Sequence, residues 1–138
     1  MRKAILGLGE ELKADDGVGK YVIDELQKRK SKHLLLYFSV PENAFAVLRR
    51  NKVKELTIVD AADFSGKPGE IKVLDSVKEK ARLSTHSTSL SKVADYIKKS
   101  IGVKEITIIL IQAKSLEFGA EMSPEVKQAG DMVVELLS

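Results

Sequence analysis

The run EITIILI, residues 105–111, is the most apolar stretch of the sequence and decides how the rest is read. Seven residues are short for a buried helix, and β-branched side chains favour a pleated strand. A strand apolar towards both faces belongs inside a sheet covered on both sides, so a central place is expected for it. Working outward, three more runs have the same character: Lys3 to Leu8, His33 to Val40 and Glu55 to Val59. Segments of helical period separate them. Val18, Tyr21, Val22 and Leu26 share one helical stripe, and Pro41 to Asn51 forms a short helix with Phe45, Val47 and Leu48. A helix after His86 presents Leu90, Val93, Ala94 and Ile97 on one side. The last helix opens at Ser123-Pro124-Glu125, an N-cap followed by proline, with Val126, Ala129, Val133 and Leu136 as its inward face. After a Gly-Lys-Pro-Gly turn, Glu70 to Leu74 alternates as an antiparallel edge strand would. Strands separated by helices predict a three-layer α/β/α sandwich, with a mainly parallel sheet of about five strands and one antiparallel edge strand. A single domain over residues 1–138 is expected.

Composition narrows the function. Hydrophobic residues make up 43% and charged residues 31%, enough apolar material for a packed core. Cysteine is absent, which removes disulfides, thiolate zinc sites and a cysteine nucleophile, and fits a cytoplasmic protein. With four Phe, three Tyr and no Trp, stacking platforms for single-stranded nucleic acid are not expected. The formal charge is +3, and basic residues are scattered along the sequence; Lys28-Arg29-Lys30 and Lys98-Lys99 fall near predicted helix ends, where cations suit the helix dipole. No stretch approaches the roughly 20 apolar residues of a membrane span, and the opening MRKAILGLGEEL does not have the pattern of a signal peptide.

Three residues stand where an α/β protein places chemistry, near the carboxyl ends of strands. Asp16 ends the polar stretch after the first strand, Asp60 ends the third, and His86 precedes a helix. Two carboxylates and an imidazole brought to one cleft would hold a divalent metal with a position open to substrate. Each also has a plainer reading. Asp15 or Asp16 would serve as a helix cap, Asp60 or the nearby Asp63 would shape a turn, and a lone histidine is commonly a surface residue. His33, at a strand start with no carboxylate motif nearby, takes the plainer reading outright. Gly7-Leu8-Gly9 lacks the third glycine of a dinucleotide fingerprint, since Leu12 stands there, so no cofactor-binding residues are assigned. Gly17-Val18-Gly19 instead suits a close approach of one backbone to another.

Taken in order, these segments resemble the hydrogenase maturation endopeptidases, which trim the C-terminal extension of the large subunit of nickel–iron hydrogenases. The matching pieces are Gly7 and Gly9, Asp15-Asp16-Gly17-Val18-Gly19, Pro41-Glu42-Asn43, Val59-Asp60-Ala61, Pro68-Gly69-Glu70, Thr85-His86 with Leu90, Ile111-Gln112, Ser115 to Gly119, and Ser123-Pro124-Glu125-Val126. The resemblance implies a metal-dependent or aspartic-type endopeptidase whose nickel-sensing residues match Asp16, Asp60 and His86. The nickel is carried by the precursor and serves as the recognition signal. The implied partner is the large-subunit precursor, with no nucleic acid, no membrane and a monomeric chain. Two departures stand out: Glu10 where asparagine is usual, and Ala113 where proline often follows the Ile-Gln pair.

Two other readings compete. A receiver-type phosphoacceptor domain also pairs acids after the first strand and ends the third on Asp, with Lys114 as its late lysine. However, Glu10 to Ala14 intervene before the acidic pair, and His86 is left without a role. A non-catalytic metal-binding maturation chaperone would bind the precursor without cutting it.

Overall fold

The computed structural model describes the backbone of residues 2–75 and 85–138, and side chains of residues 2–74 and 90–138. Five strands, β1 (Lys3–Leu8), β2 (Leu34–Phe38), β3 (Glu55–Ala62), β4 (Ile71–Asp75) and β5 (Glu105–Gln112), lie in the order β2-β1-β3-β5-β4. The first four in that order are parallel, and β4 pairs antiparallel with β5 at the edge. The helices are α1 (Val18–Lys28), α2 (Phe45–Arg50), α3 (Thr85–Tyr96) and α4 (Pro124–Leu137).

Alternation along the strands divides the core into two layers. Ala4, Leu6, Leu8, Leu56, Ile58, Ala62, Ile108 and Leu110 meet Leu48 of α2 and Leu90 and Ala94 of α3. Ile5, Val59, Ala61, Ile109 and Ile111 meet Val18, Val22 and Leu26 of α1 and Val126, Ala129 and Val133 of α4. Fully burying one such aliphatic side chain is worth about 1.5–3 kcal/mol, so both layers are needed to hold the sheet flat between helices. The sandwich expected from the alternation is the one observed.

Four details differ from the sequence reading. EITIILI is interior, but the central strand is β3; β4 folds back to cover the far edge of β5. β3 runs past Val59 to Ala62, because its ladder with β5 continues through Asp60↔Leu110 to Ala62↔Gln112 and on to Ala113 N–H donating to Ala62 O. Proline at 113 would have no N–H for that last bond. Helix α3 begins at Thr85, so His86 is inside its first turn rather than ahead of it. Leu136 is 64% exposed, while Leu137 packs against the core. Eleven residues complete three helical turns, which returns the apolar stripe from Val126 to residue 137 and not to 136.

Glycine sets the distance between α1 and the sheet. A Cβ on Gly19 would sit 2.4 Å from Leu8 O and 2.7 Å from Leu8 N, and one on Gly7 would sit 2.4 Å from Gly19 O. Only hydrogen at both positions lets the helix start rest directly on β1. The acidic turn that precedes α1 is thereby held over the carboxyl end of the sheet.

Candidate active site

The chain leaves β1 towards α1 on one face and leaves β3 towards the other strands. The crevice between these neighbours, at their carboxyl ends, is where an open α/β sheet takes ligands. Asp16 lies in the 3-10 turn Ala14–Gly17 that enters α1. Asp60 shares strand parity with Leu56, Ile58 and Ala62, so it points to the α2/α3 face, and it is only 4% exposed. The first turn of α3 carries His86. Because α3 leads down to Gly102 and the start of β5, that turn is at the carboxyl rim of the same face. The His86 side chain lies outside the described residues. All three elements therefore converge on one rim, Asp16 from one face and the other two from the opposite one.

Neighbouring acids have different tasks. Asp15 is fully buried. Its Oδ2 accepts Lys114 N–H at 2.7 Å, Ser115 N–H at 2.9 Å and the Ser123 hydroxyl at 2.9 Å, while Oδ1 accepts Ser123 N–H at 2.6 Å. Burial alone would raise this carboxyl. The backbone donors of Ser123, Ser115 and Lys114 and the Ser123 hydroxyl outweigh it and hold the group below its ordinary value. The two caps expected here are absent. Gly17 is the N-cap of α1 with no side-chain bond, and Ser123, at the N-cap of α4, gives its hydroxyl to Asp15 instead of the helix. Asp15 binds the loop after β5 to the loop after β1, and Asp15 N–H donating to Ser115 O at 3.1 Å completes the clasp.

Asp16, one residue on, is half-buried. Its Oδ2 accepts Glu10 N–H at 2.7 Å. Gly9 makes this turn at φ 126°, and a Cβ there would lie 2.1 Å from Asp16 O. Tyr37 donates its hydroxyl to Gly9 O at 2.5 Å, fixing the turn from β2. The pin on Asp16 is thus a backbone N–H, which glutamate at position 10 supplies as well as asparagine.

Gln112 is the residue whose role sequence reasoning missed. It is 5% exposed. Its Oε1 accepts the N–H groups of Phe64 and Gly66 at 2.9 and 3.0 Å, and its Nε2 donates to Asp63 Oδ1 at 3.2 Å and Ala113 O at 3.0 Å. A buried amide must be satisfied, and this one is saturated by shaping the loop after Asp60. An amide ending so apolar a run was the available signal. Asp63, the rival of Asp60, is committed to that loop: Ser65 N–H and the Gln112 amide hold its carboxyl below the ordinary value. Lys114 turns its ammonium to Glu125 at 3.1 Å, which does not suit the late lysine of a receiver. His33 lies at the opposite rim with Arg2 and Lys32. Among the described residues, no three His, Cys, Asp or Glu side chains form a metal-holding group.

A doubly wound α/β protein with a buried and a half-buried carboxylate at its switch point is the class this arrangement defines. Residues 21–138 match the family model described as hydrogenase maturation protease, and the chain belongs to that family of hydrolases. It is 28% identical to the hydrogenase 3 maturation protease of Escherichia coli, over 99% of this chain and 89% of that one. Its structure is similar to that of the endopeptidase HycI from Escherichia coli, with a TM-score of 0.88, 26% identity, and 99% and 89% of the two chains covered. It is similar also to a NiFe hydrogenase maturation protease, HycI, from Thermococcus kodakarensis, with a TM-score of 0.83, 31% identity, and 98% and 88% covered. The family match starts past Asp16; the structural ones extend over nearly the whole chain. Among the described residues, no helix is long and apolar enough to cross a membrane.

Proposed function

We propose that this protein removes the C-terminal extension of a nickel–iron hydrogenase large-subunit precursor after nickel insertion, with the precursor's own nickel read by Asp16, Asp60 and His86. The observation that carries the reading is placement: Asp16, Asp60 and the helix turn that bears His86 all lie at the carboxyl rim, around the switch-point crevice. Carboxylate and imidazole groups suit nickel when substrate groups complete its shell.

The metal arrives as part of the substrate, and it would polarise the scissile carbonyl or acidify a water. In the aspartic-type route, one carboxylate takes the proton from the attacking water as the new C–O bond forms. The same proton is delivered to the leaving amine as the C–N bond breaks. The chain acts as a monomer in the cytoplasm on this reading, and the nickel it reads is the precursor's, with another divalent metal able to take its place in isolation.

The test is to incubate the chain with nickel-loaded and nickel-free precursor and weigh the products. Mass loss at the C-terminus of the loaded precursor alone is expected. Equal cutting of both removes nickel from the recognition step. Stable binding of the loaded precursor with no cutting favours the chaperone reading.

A further inference from the structure

One peptide unit beside the crevice is gripped at both ends. A trans peptide points its C=O and its N–H in opposite directions, so what holds one aims the other. In the Gly9–Glu10 peptide, Gly9 O accepts the Tyr37 hydroxyl at 2.5 Å, and Glu10 N–H donates to Asp16 Oδ2 at 2.7 Å. Tyr37 reaches this peptide because β2 pairs with β1 in the register Gly7↔Tyr37, and because its ring packs on the α1 side of the sheet, the side from which Asp16 enters. Gly9 has no side chain to fix the plane of the peptide that follows it, and its open φ/ψ map would let that plane turn over. The hydroxyl stays a donor. Burial pushes it above its ordinary value, aided by the carboxylates of Glu10 and Glu11 and opposed by Glu11 N–H and the Lys20 ammonium. Lys20 lies 5.8 Å from the ring centroid and is itself held by Asp24 at 2.8 Å and Glu11 at 3.7 Å.

We infer that Tyr37 is a positioning residue for Asp16: by holding Gly9 O it keeps Glu10 N–H aimed at Oδ2, and so sets the direction of the other carboxylate oxygen. The inference rests on the proteolytic reading of Asp16 above and adds to it a residue from β2, a strand that carries none of the reacting groups. A carboxylate anchored through one oxygen does not turn freely about its last bond. Oδ1, on which no described residue places a donor, therefore keeps one direction. Donation to the carbonyl also polarises the amide and strengthens the bond that its N–H makes. Without the hydroxyl the peptide is free to turn, and a carbonyl lone pair then faces Asp16 in place of the donor. Tyr37 acts through the peptide and not on the substrate.

The test is Tyr37→Phe, which keeps the ring beside Lys20 and removes only the hydroxyl, with rates compared at equal folded fraction. Nickel-loaded precursor should be cut about 10- to 100-fold more slowly, the usual loss when a partner that orients a ligand is removed. In an Asp16→Asn background the same substitution should change the residual rate by less than about twofold, whereas a loss from general loosening would multiply in full. The amide proton of Glu10 gives a reading that needs no cleavage. Its NMR signal should lie downfield in wild type and move upfield in Tyr37→Phe and in Asp16→Asn alike. Wild-type cleavage by Tyr37→Phe overturns the proposal, as does a Glu10 signal that responds to Asp16→Asn alone. Full multiplicative loss in the double variant overturns it too. If Asp16→Asn cuts at the wild-type rate, or wild type cuts no precursor, the proteolytic reading of Asp16 fails by itself. The Glu10 signal then decides whether Tyr37 positions that carboxylate.

Discussion

The two rims of the sheet differ in chemistry. At the amino rim Arg2, Lys30, Lys32, Lys52, Lys54 and Lys104 outnumber Glu55 and Glu105, with Lys54 and Lys104 joined through the bond from Lys104 N–H to Lys54 O. At the carboxyl rim Glu10, Glu11, Asp15, Asp16, Asp60, Asp63, Glu117 and Glu121 outnumber Lys13, Lys20 and Lys114. The basic residues that look scattered in sequence are collected by chain direction, because every helix of a parallel α/β unit ends at the amino rim. Helix dipoles favour this sorting in any protein of the class, catalytic or not. The acidic rim therefore does not identify a site by its charge. What tells the neighbours apart is the task each performs: the fully buried Asp15 clasps two loops with both oxygens, while Asp16 takes the Glu10 N–H on one oxygen and stays half-buried at the crevice.

The sharpest way to break that distinction is to exchange neighbours. Asp16→Asn and Asp60→Asn are each expected to lower cleavage of nickel-loaded precursor by about 10³-fold, the range of a lost acid–base or ligand group, with the melting temperature nearly unchanged. His86→Ala should act likewise. If Asp15→Asn costs more activity than Asp16→Asn at equal folded fraction, the two residues have been assigned the wrong way round.

Asp15→Ala should be the largest stability loss, about 3–5 kcal/mol, because it strands the Ser123, Ser115 and Lys114 N–H groups in a buried clasp. A thermal midpoint lowered by about 10 °C or more checks it. Gly19→Ala comes next, at about 2 kcal/mol, since the new Cβ meets backbone atoms of Leu8 and Val59 that cannot swing away. A melting point within a degree of wild type would mean that α1 can lift off β1 at no cost.

These residues also show what could be read in advance. The sandwich was legible because EITIILI, ELTIV and KAILGL lie between helical stripes, and periodicity is a local property. The same local logic expects Asp16 and Asp60 near the carboxyl ends of β1 and β3, and there the backbone carries them. The clasp was not legible: Asp15 is joined to Ser123 across 108 positions, and no spacing rule connects them. Leu136 and the end of β3 at Asp60 differ for another reason. Each was assigned from residue type, as an apolar helix member and a strand terminator, while helical phase and the β5 ladder decided otherwise.

A finer form of the neighbour comparison is pH. The Asp15 carboxyl is held below its ordinary value in the fold, so it adds stability above the ordinary carboxylate range. That stability is lost as pH falls through and below it. Asp15→Asn keeps the shape and removes the titration. The stability difference between wild type and this variant should therefore shrink as pH is lowered from about 5 towards 3. A constant difference over that interval would mean that the donors do not favour the ionised form.

The smallest expected effect compares the rims themselves. Substituting Lys30, Lys32, Lys54 and Lys104 with glutamine removes charge far from the crevice, beyond the roughly 10 Å over which exposed charges act at moderate salt. Cleavage should keep its KM within about twofold. A large change in KM would show that the basic rim also contacts the precursor. The sorting of charge along the strands would then serve recognition at both ends of the sheet, and not only the preferences of helix termini.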